Sequence, residues 1–337
     1  MPDGREITRF ILRNDNGVEV RLIDFGAIVE SIIVPDRNGV QADIALGFYD
    51  LEDWVERNIP YFGATIGRCA NRIGKGRFSI DGEEYQLAVN NGPNCLHGGM
   101  LGFDKKIWQA QTLETDEGPA VAMKLHSPDG DENFPGNLDC TVTFTLTDDN
   151  GLVIDYEATT DKPTIVNLTN HSYFNLGGHD SGHIGDHVFQ VEADSYTPND
   201  EHALPIGTIE PLDGLEIDLR KPCRIGDRLE RIGGFDYNYV LNSNGGLDRP
   251  VSIVSHPASG RILEVFTTEP GMQLYTADYL DGIEGKNGVA YQNQDAFCLE
   301  AQRFPDAVNH DNFPEVVLRP GQRYRQTTIY RFDIAPA

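Results

Sequence analysis

The chain has 337 residues, 39% hydrophobic and 24% charged, which fits a folded protein with a large core and excludes a disordered one. Its 53 acidic residues against 27 Lys plus Arg leave a formal net charge of −26, which argues against nucleic acid or an anionic membrane as partner. No stretch approaches the roughly 18 apolar residues of a membrane span, and the first residues carry no signal-like apolar run, so a cytoplasmic chain is expected.

Period-two alternation dominates from the start. "FILRNDNGVEVRLI" and "IIVPDRNGVQADIAL" each read as two short strands around an Asn-Gly turn. "DLEDWVERN" predicts a short helix with Leu51, Trp54 and Val55 on one side. "GRFSIDGEEYQLAV" predicts another hairpin. The strongest pattern is "LDCTVTFTLTDDNGLVIDYEATT", where Leu138, Cys140, Val142, Phe144 and Leu146 alternate with polar residues, turn at Asp-Asn-Gly, and alternate again through Leu152, Ile154 and Tyr156. Further strands are expected in "HVFQVEADSYTP", "GRILEVFTTEPGMQLYTA", "QDAFCLEAQRF" and "QRYRQTTIYRF". "PCRIGDRLERI" predicts a second helix, opened by Pro222 and interrupted by Gly226. Glycines and prolines punctuate the strands, and there is no βαβ alternation, repeat or linker. The expected fold is an all-β, large antiparallel sandwich with very few short helices, one domain over residues 1–337. Cys69, Cys95, Cys140, Cys223 and Cys298 are odd in number and widely spaced, so reduced core thiols are expected rather than disulfides or a zinc site.

Histidines crowd "IVNLTNHSYFNLGGHDSGHIGDH". His179, His183 and His187 recur every four residues, a metal-array spacing on a helix, but the intervening Gly and Asp predict a polar loop instead. His171 follows a strand and precedes Tyr173 and Phe174; it suits either a core hydrogen bond or proton transfer. Two glycosylation-like triplets, at Asn167 and Asn170, matter only in a secreted chain. His97 stands before Gly98-Gly99, where a turn or a close backbone approach is possible. Glu300 ends an apolar strand on the side of Cys298, a costly place for a carboxylate unless it is paired or functional. "GRCANRIGKGRF" lacks phosphate-loop spacing, leaving Asn71 and Arg72 as a polar pair for ligand hydroxyls. Asp236 and Gln273 suit structural hydrogen bonds or a sugar site equally.

Together "GRCANRI", "NCLHGG", "GFDKKIW", "VNLTNHSYFNLGG", "SYTPND", "GFDYNYVL", "PGMQLYTA" and "FCLEAQRFPDAVN" resemble the aldose 1-epimerase (galactose mutarotase) family over nearly the whole chain. The resemblance implies a supersandwich with an open sugar cleft, no cofactor and no metal, and interconversion of the α and β anomers of a free aldohexose. It implies His171 as general acid, Glu300 as general base, and His97, Asn71, Arg72, Tyr173, Asp236 and Gln273 around the sugar; the ring-opening chemistry adds a catalytic part for His97, polarising or binding near the ring oxygen. One segment departs from the family pattern: "LEIDLRKP" stands where a Thr-Pro-Phe-Asp-Phe-Arg run is usual, a strand outside the catalytic set, where the change leaves the chemistry untouched but could alter a loop near the cleft. Nearby carboxylates, Asp236 and Glu300, are expected to favour the charged form of His171. The rival functions are a hexose-phosphate epimerase, a non-catalytic sugar-binding protein, and a glycosidase using Asp236 and Glu300. The preferred sugar and the oligomeric state are not legible.

Overall fold

The computed structural model describes residues 4–335. Its largest sheet has nine strands, in spatial order Gln109–Thr115, Gly118–Ser127, Leu138–Leu146, Gly151–Thr160, Tyr324–Ile334, Arg261–Thr267, Ser252–Ser255, Val188–Val191 and Cys223–Arg224. Glu210–Pro211, Ala193–Thr197, Asp236–Leu241, Gly271–Tyr275 and Cys298–Gln302 form a five-stranded sheet. Neighbours in both run antiparallel. A four-stranded sheet built from the two N-terminal hairpins completes the larger elements.

The alternation explains the layering. Leu138, Cys140, Val142, Phe144 and Leu146 are all buried, as are Leu152, Ile154 and Tyr156 on the paired strand. The turn between them closes at Asn150, whose φ of 67° is one that Asn tolerates. Met272, Leu274 and Leu299 of the five-stranded sheet enter the same hydrophobic cluster as Phe144, Tyr156 and Tyr330 of the large sheet. Each such side chain removed from water contributes about 1.5–3 kcal/mol. With those residues turned into the core, their neighbours Gln273, Cys298 and Glu300 must face the other way. A second cluster, holding Trp54, Phe62, Tyr173 and Cys298, packs on that side.

The first expected helix is present at Leu51–Glu56, with Trp54 buried against Phe48. The second differs: the helix spans Gly226–Ile232, and Cys223–Arg224 is instead an edge strand paired with Val188 and Phe189. Pro222 therefore precedes a strand, a place where its missing N–H costs no ladder bond. The divergent "LEIDLRKP" segment buries Ile217 and Leu219 in the main core and accepts a bond from Tyr239 Oη, so it supports the sheet and does not line the cleft. No helix among the described residues is long and apolar enough to cross a membrane.

Candidate active site

Antiparallel register assembles one wall. Gln273 lies opposite both Asn238 and Glu300, and Tyr275 lies opposite both Asp236 and Cys298. Short pairings supply the other walls. Arg72–Ile73 pairs with Cys95–Leu96, bringing Asn71 to His97. Thr169–Asn170 pairs with Thr65–Ile66, and His171 continues that edge, donating its N–H to the Ala64 carbonyl and accepting from Gly63. His171, Glu300, His97, Asn71, Arg72, Tyr173 and Asp236 line a single cavity of 420 Å³, within the range of about 300–1,000 Å³ usual for small-molecule sites. Gln273 does not line it. Its Nε2 donates to Asp236 Oδ1 at 2.6 Å, so it steadies a wall residue.

The His171 ring is held in plane. The rings of Tyr173 and Tyr61 lie nearly parallel to it, with centroids 5.1 and 6.1 Å away, and His97 meets it edge-on at 5.1 Å. His171 Nε2 is 3.6 Å from Glu300 Oε1. Glu300 Oε2 is buried with no protein hydrogen-bond partner among the described residues. An orphaned carboxylate oxygen facing a cavity is free to meet a ligand there. Across the cavity, Arg72 donates Nε–H to Asn91 Oδ1 at 3.1 Å and places its NH1 3.6 Å from Asp236 Oδ2.

The backbone fixes the His97 tautomer. The Asn71 N–H donates to His97 Nδ1 at 3.2 Å, so a neutral ring carries its proton on Nε2. Both residues adopt left-handed conformations, φ 58° and 51°, which Asn and His tolerate better than most. Gly98 is required beside them: a Cβ there would collide with the Gly67 carbonyl. Burial lowers the proton affinity of His97, aided by the neighbouring His171, Arg72 and Lys105, so the ring stays neutral. It is a fixed N–H donor.

Electrostatics correct one expectation. Burial, not the carboxylates, governs His171 and pushes it down to about 3. Burial also pushes Glu300 well above the ordinary carboxylate range; Asp236 adds to this and Arg72 opposes it. Between those two affinities the unliganded pair carries its one proton on Glu300, with His171 neutral. Asp236 is raised by burial and restrained by Arg72 and Gln273.

His97, His171 and Glu300 also bring ligand-type atoms within 4.8 Å of one another. The trio fits a cation poorly. Metal on His97 Nε2 would require the ring proton on Nδ1, where the Asn71 N–H already points.

The other three histidines of the His-rich stretch, His187, His183 and His179, are structural. His187 accepts from Leu176 N–H at Nε2 and donates from Nδ1 to the Ile184 carbonyl. His183 accepts from Gly185 N–H and reaches Gln294, and His179 meets the Tyr291 hydroxyl. Asn167 and Asn170 are buried, spending their side-chain amides on Arg303 and Gly63 carbonyls, so neither is a surface acceptor.

Several lining residues escaped the sequence reading: Tyr61, Asn91, Tyr275, Tyr279 and the Glu201–Ala203 turn. Asn91 stood in an Asn-Gly-Pro turn, which was the only signal it gave. Tyr61 lies in a loop with no periodicity at all.

The family model for aldose 1-epimerase matches residues 8–331. The chain belongs to the aldose 1-epimerase family. It is 47% identical over 335 residues to a galactose mutarotase of Rattus norvegicus, covering 98% of this chain and 96% of the relative. It is 37% identical over 339 residues to an aldose 1-epimerase of Escherichia coli strain K12, covering 98% and 96%. Among solved structures it resembles a galactose 1-epimerase from Lactobacillus acidophilus, with a TM-score of 0.87 at 30% identity, covering 99% of this chain and 96% of that one. An aldose epimerase homologue from C. elegans superposes with a TM-score of 0.91 at 30% identity, covering 98% and 100%. The family's sandwich fold, expected from the alternation, is the one observed.

Proposed function

We propose that the cavity opens and recloses the ring of a free aldose, exchanging its α and β anomers, with Glu300 as general base and His171 as general acid. The protein is an isomerase of the aldose 1-epimerase type. The observation that carries the residue assignment is the buried, unpartnered Glu300 carboxylate oxygen beside an imidazole in a sugar-sized cavity.

Glu300 takes the proton from the C1 hydroxyl, the C1–O5 bond breaks, and His171 Nε2 gives a proton to O5. The aldehyde turns about C1–C2, and the same transfers run backwards on its other face. The reactive closed-ring complex has an ionised Glu300 and a charged His171; the open-chain complex has both neutral. Burial that raises Glu300 and lowers His171 thus makes a strong base and a strong acid, and drives the opening step. Arg72, which opposes the rise of Glu300, stabilises the ionised carboxylate. The His97 Nε2–H, permanently directed, supports O5 as a fixed donor. Arg72, Asp236 and Asn71 suit the remaining hydroxyls, aligning C1 with Glu300.

Arg72 is the sole Lys or Arg among the lining residues, and Asn91 and Asp236 already engage it. That favours a neutral sugar over a sugar phosphate. All five cysteines are free, four of them buried, which supports the cytoplasmic residence read from the sequence. Polarimetry of freshly dissolved α-glucose, α-galactose, α-xylose and glucose-6-phosphate tests the function. Acceleration with a free aldose is expected; sugar binding without acceleration of any of them would reduce the protein to a binding module.

A further inference from the structure

We infer that Cys298 is a positioning residue for His171: its sulfur orients the imidazole through Nδ1 while holding the ring's charged form too weakly to blunt the acid at Nε2. The inference rests on the acid role proposed for His171.

Cys298 and Glu300 are two residues apart on one strand and share its cavity-facing side. The imidazole bridges them, with Nδ1 3.5 Å from Cys298 Sγ and Nε2 3.6 Å from Glu300 Oε1. One strand thus presents a thiol to one nitrogen and a carboxylate to the other. The groups facing the ring are few. Glu300 and Cys298 come from this strand, Tyr61 and His97 from two separate loops, and Tyr173 from the segment of His171 itself. The backbone carbonyl of His171 favours the charged ring but already accepts the Gly63 N–H. Sulfur is therefore the one side-chain partner at Nδ1 among these groups.

The choice of sulfur has a chemical consequence. During turnover Nδ1 keeps its proton while Nε2 gives one to O5 and later regains it. A carboxylate or hydroxyl at Nδ1 accepts strongly and stabilises imidazolium, as an aspartate does for the histidine of a hydrolase triad. A thiol is a weak acceptor. Burial keeps Cys298 protonated, so no thiolate stands there to supply a counter-charge. The ring is thereby aimed without being neutralised, and its Nε2 proton remains readily given. With sulfur as the acceptor, the resting ring carries its proton on Nδ1 and turns a bare Nε2 toward Glu300, the opposite tautomer to that of His97.

Cys298→Ser and Cys298→Ala separate this role from simple packing. The serine hydroxyl, a stronger acceptor, is expected to move the acid limb of the kcat/KM profile to higher pH and to lower kcat about ten-fold, with KM unchanged. Alanine is expected to leave that limb in place and to cost less in kcat. Equal effects of the two substitutions, or wild-type behaviour of Cys298→Ser, overturn the inference. A measurement on the unaltered protein stands beside them should the serine variant fail to fold: ring ¹⁵N shifts of His171 in the sugar-free protein. The Nδ1–H tautomer is expected, and an Nε2–H ring overturns it. His171→Asn guards the premise. Full activity in that variant rejects the acid assignment itself, whereas an inactive His171→Asn beside an unaffected Cys298→Ser rejects only the role of the thiol.

Discussion

His171 Nε2 and Glu300 Oε1 stand 3.6 Å apart, and burial displaces their proton affinities in opposite directions. Between the low affinity of His171, at about 3, and the raised affinity of Glu300, the pair holds one proton. Moving that proton from one partner to the other does not change with pH, so the reactive fraction is constant while the total stays at one. The expected kcat/KM profile is a plateau between the lowered affinity of His171 and the raised affinity of Glu300. It falls in acid when a second proton enters, and in alkali when the last one leaves, above the ordinary Glu value of 4.5. Polarimetry across pH checks this; an acid limb at 6.5, the ordinary histidine value, contradicts it.

Glu300→Gln keeps the shape of the side chain and removes the proposed base. Turnover is expected to fall by about 10² to 10⁴, and His171→Asn to cost a similar factor. The two act in one transfer, so the double variant should resemble the worse single variant. Calorimetric titration with sugar should show that binding survives.

Lys286 is buried, and its ammonium donates to the carbonyls of Glu30 and Ala45 and to Asp43 Oδ2, each at 2.7 Å. It ties the N-terminal sheet to a distant loop. Lys286→Met strands those acceptors and leaves Asp43 without its cation, at a cost of about 3–5 kcal/mol. The urea midpoint should fall sharply while the kinetics of the surviving folded enzyme stay near normal.

Glu269, buried against Arg303, is raised by burial to about 7 from an ordinary 4.5. An acid whose folded affinity exceeds its unfolded one contributes stability fully below 4.5 and loses it as pH rises through 7. Glu269→Gln mimics the protonated form, so its stability relative to wild type should improve from pH 5 to pH 8, by about 1.4 kcal/mol per unit over the window. Denaturant melts at both pH values decide it; a difference that is flat or reversed contradicts the assignment.

Much of the site could be read from local pattern. The alternation around Glu300 placed it on the face of Cys298, and the pairing register bears this out. Gln273 was legible as a polar residue in an apolar strand, but its direction was not. Strand phase gives the face, whereas the 2.6 Å bond that commits its amide to Asp236 depends on a partner 37 residues away. His179, His183 and His187 were separable from His171 because Gly and Asp between them rule out a helical array.

By itself the sequence determined most of the strands, their buried faces and the turns, and it singled out His171, Glu300 and most of the polar residues that line the cavity. The strands and faces follow from a two-residue period, a local property, whereas the roles expected of His171 and Glu300 came from the resemblance of whole motifs to one family. Tertiary structure decided the opposite shifts in proton affinity of Glu300 and His171, the tautomer of His97, the thiol contact of His171 and the enclosure by Tyr61 and Asn91. Each of those arises from segments far apart in the chain meeting around one cavity, where removal from water, more than nearby charge, sets proton affinity.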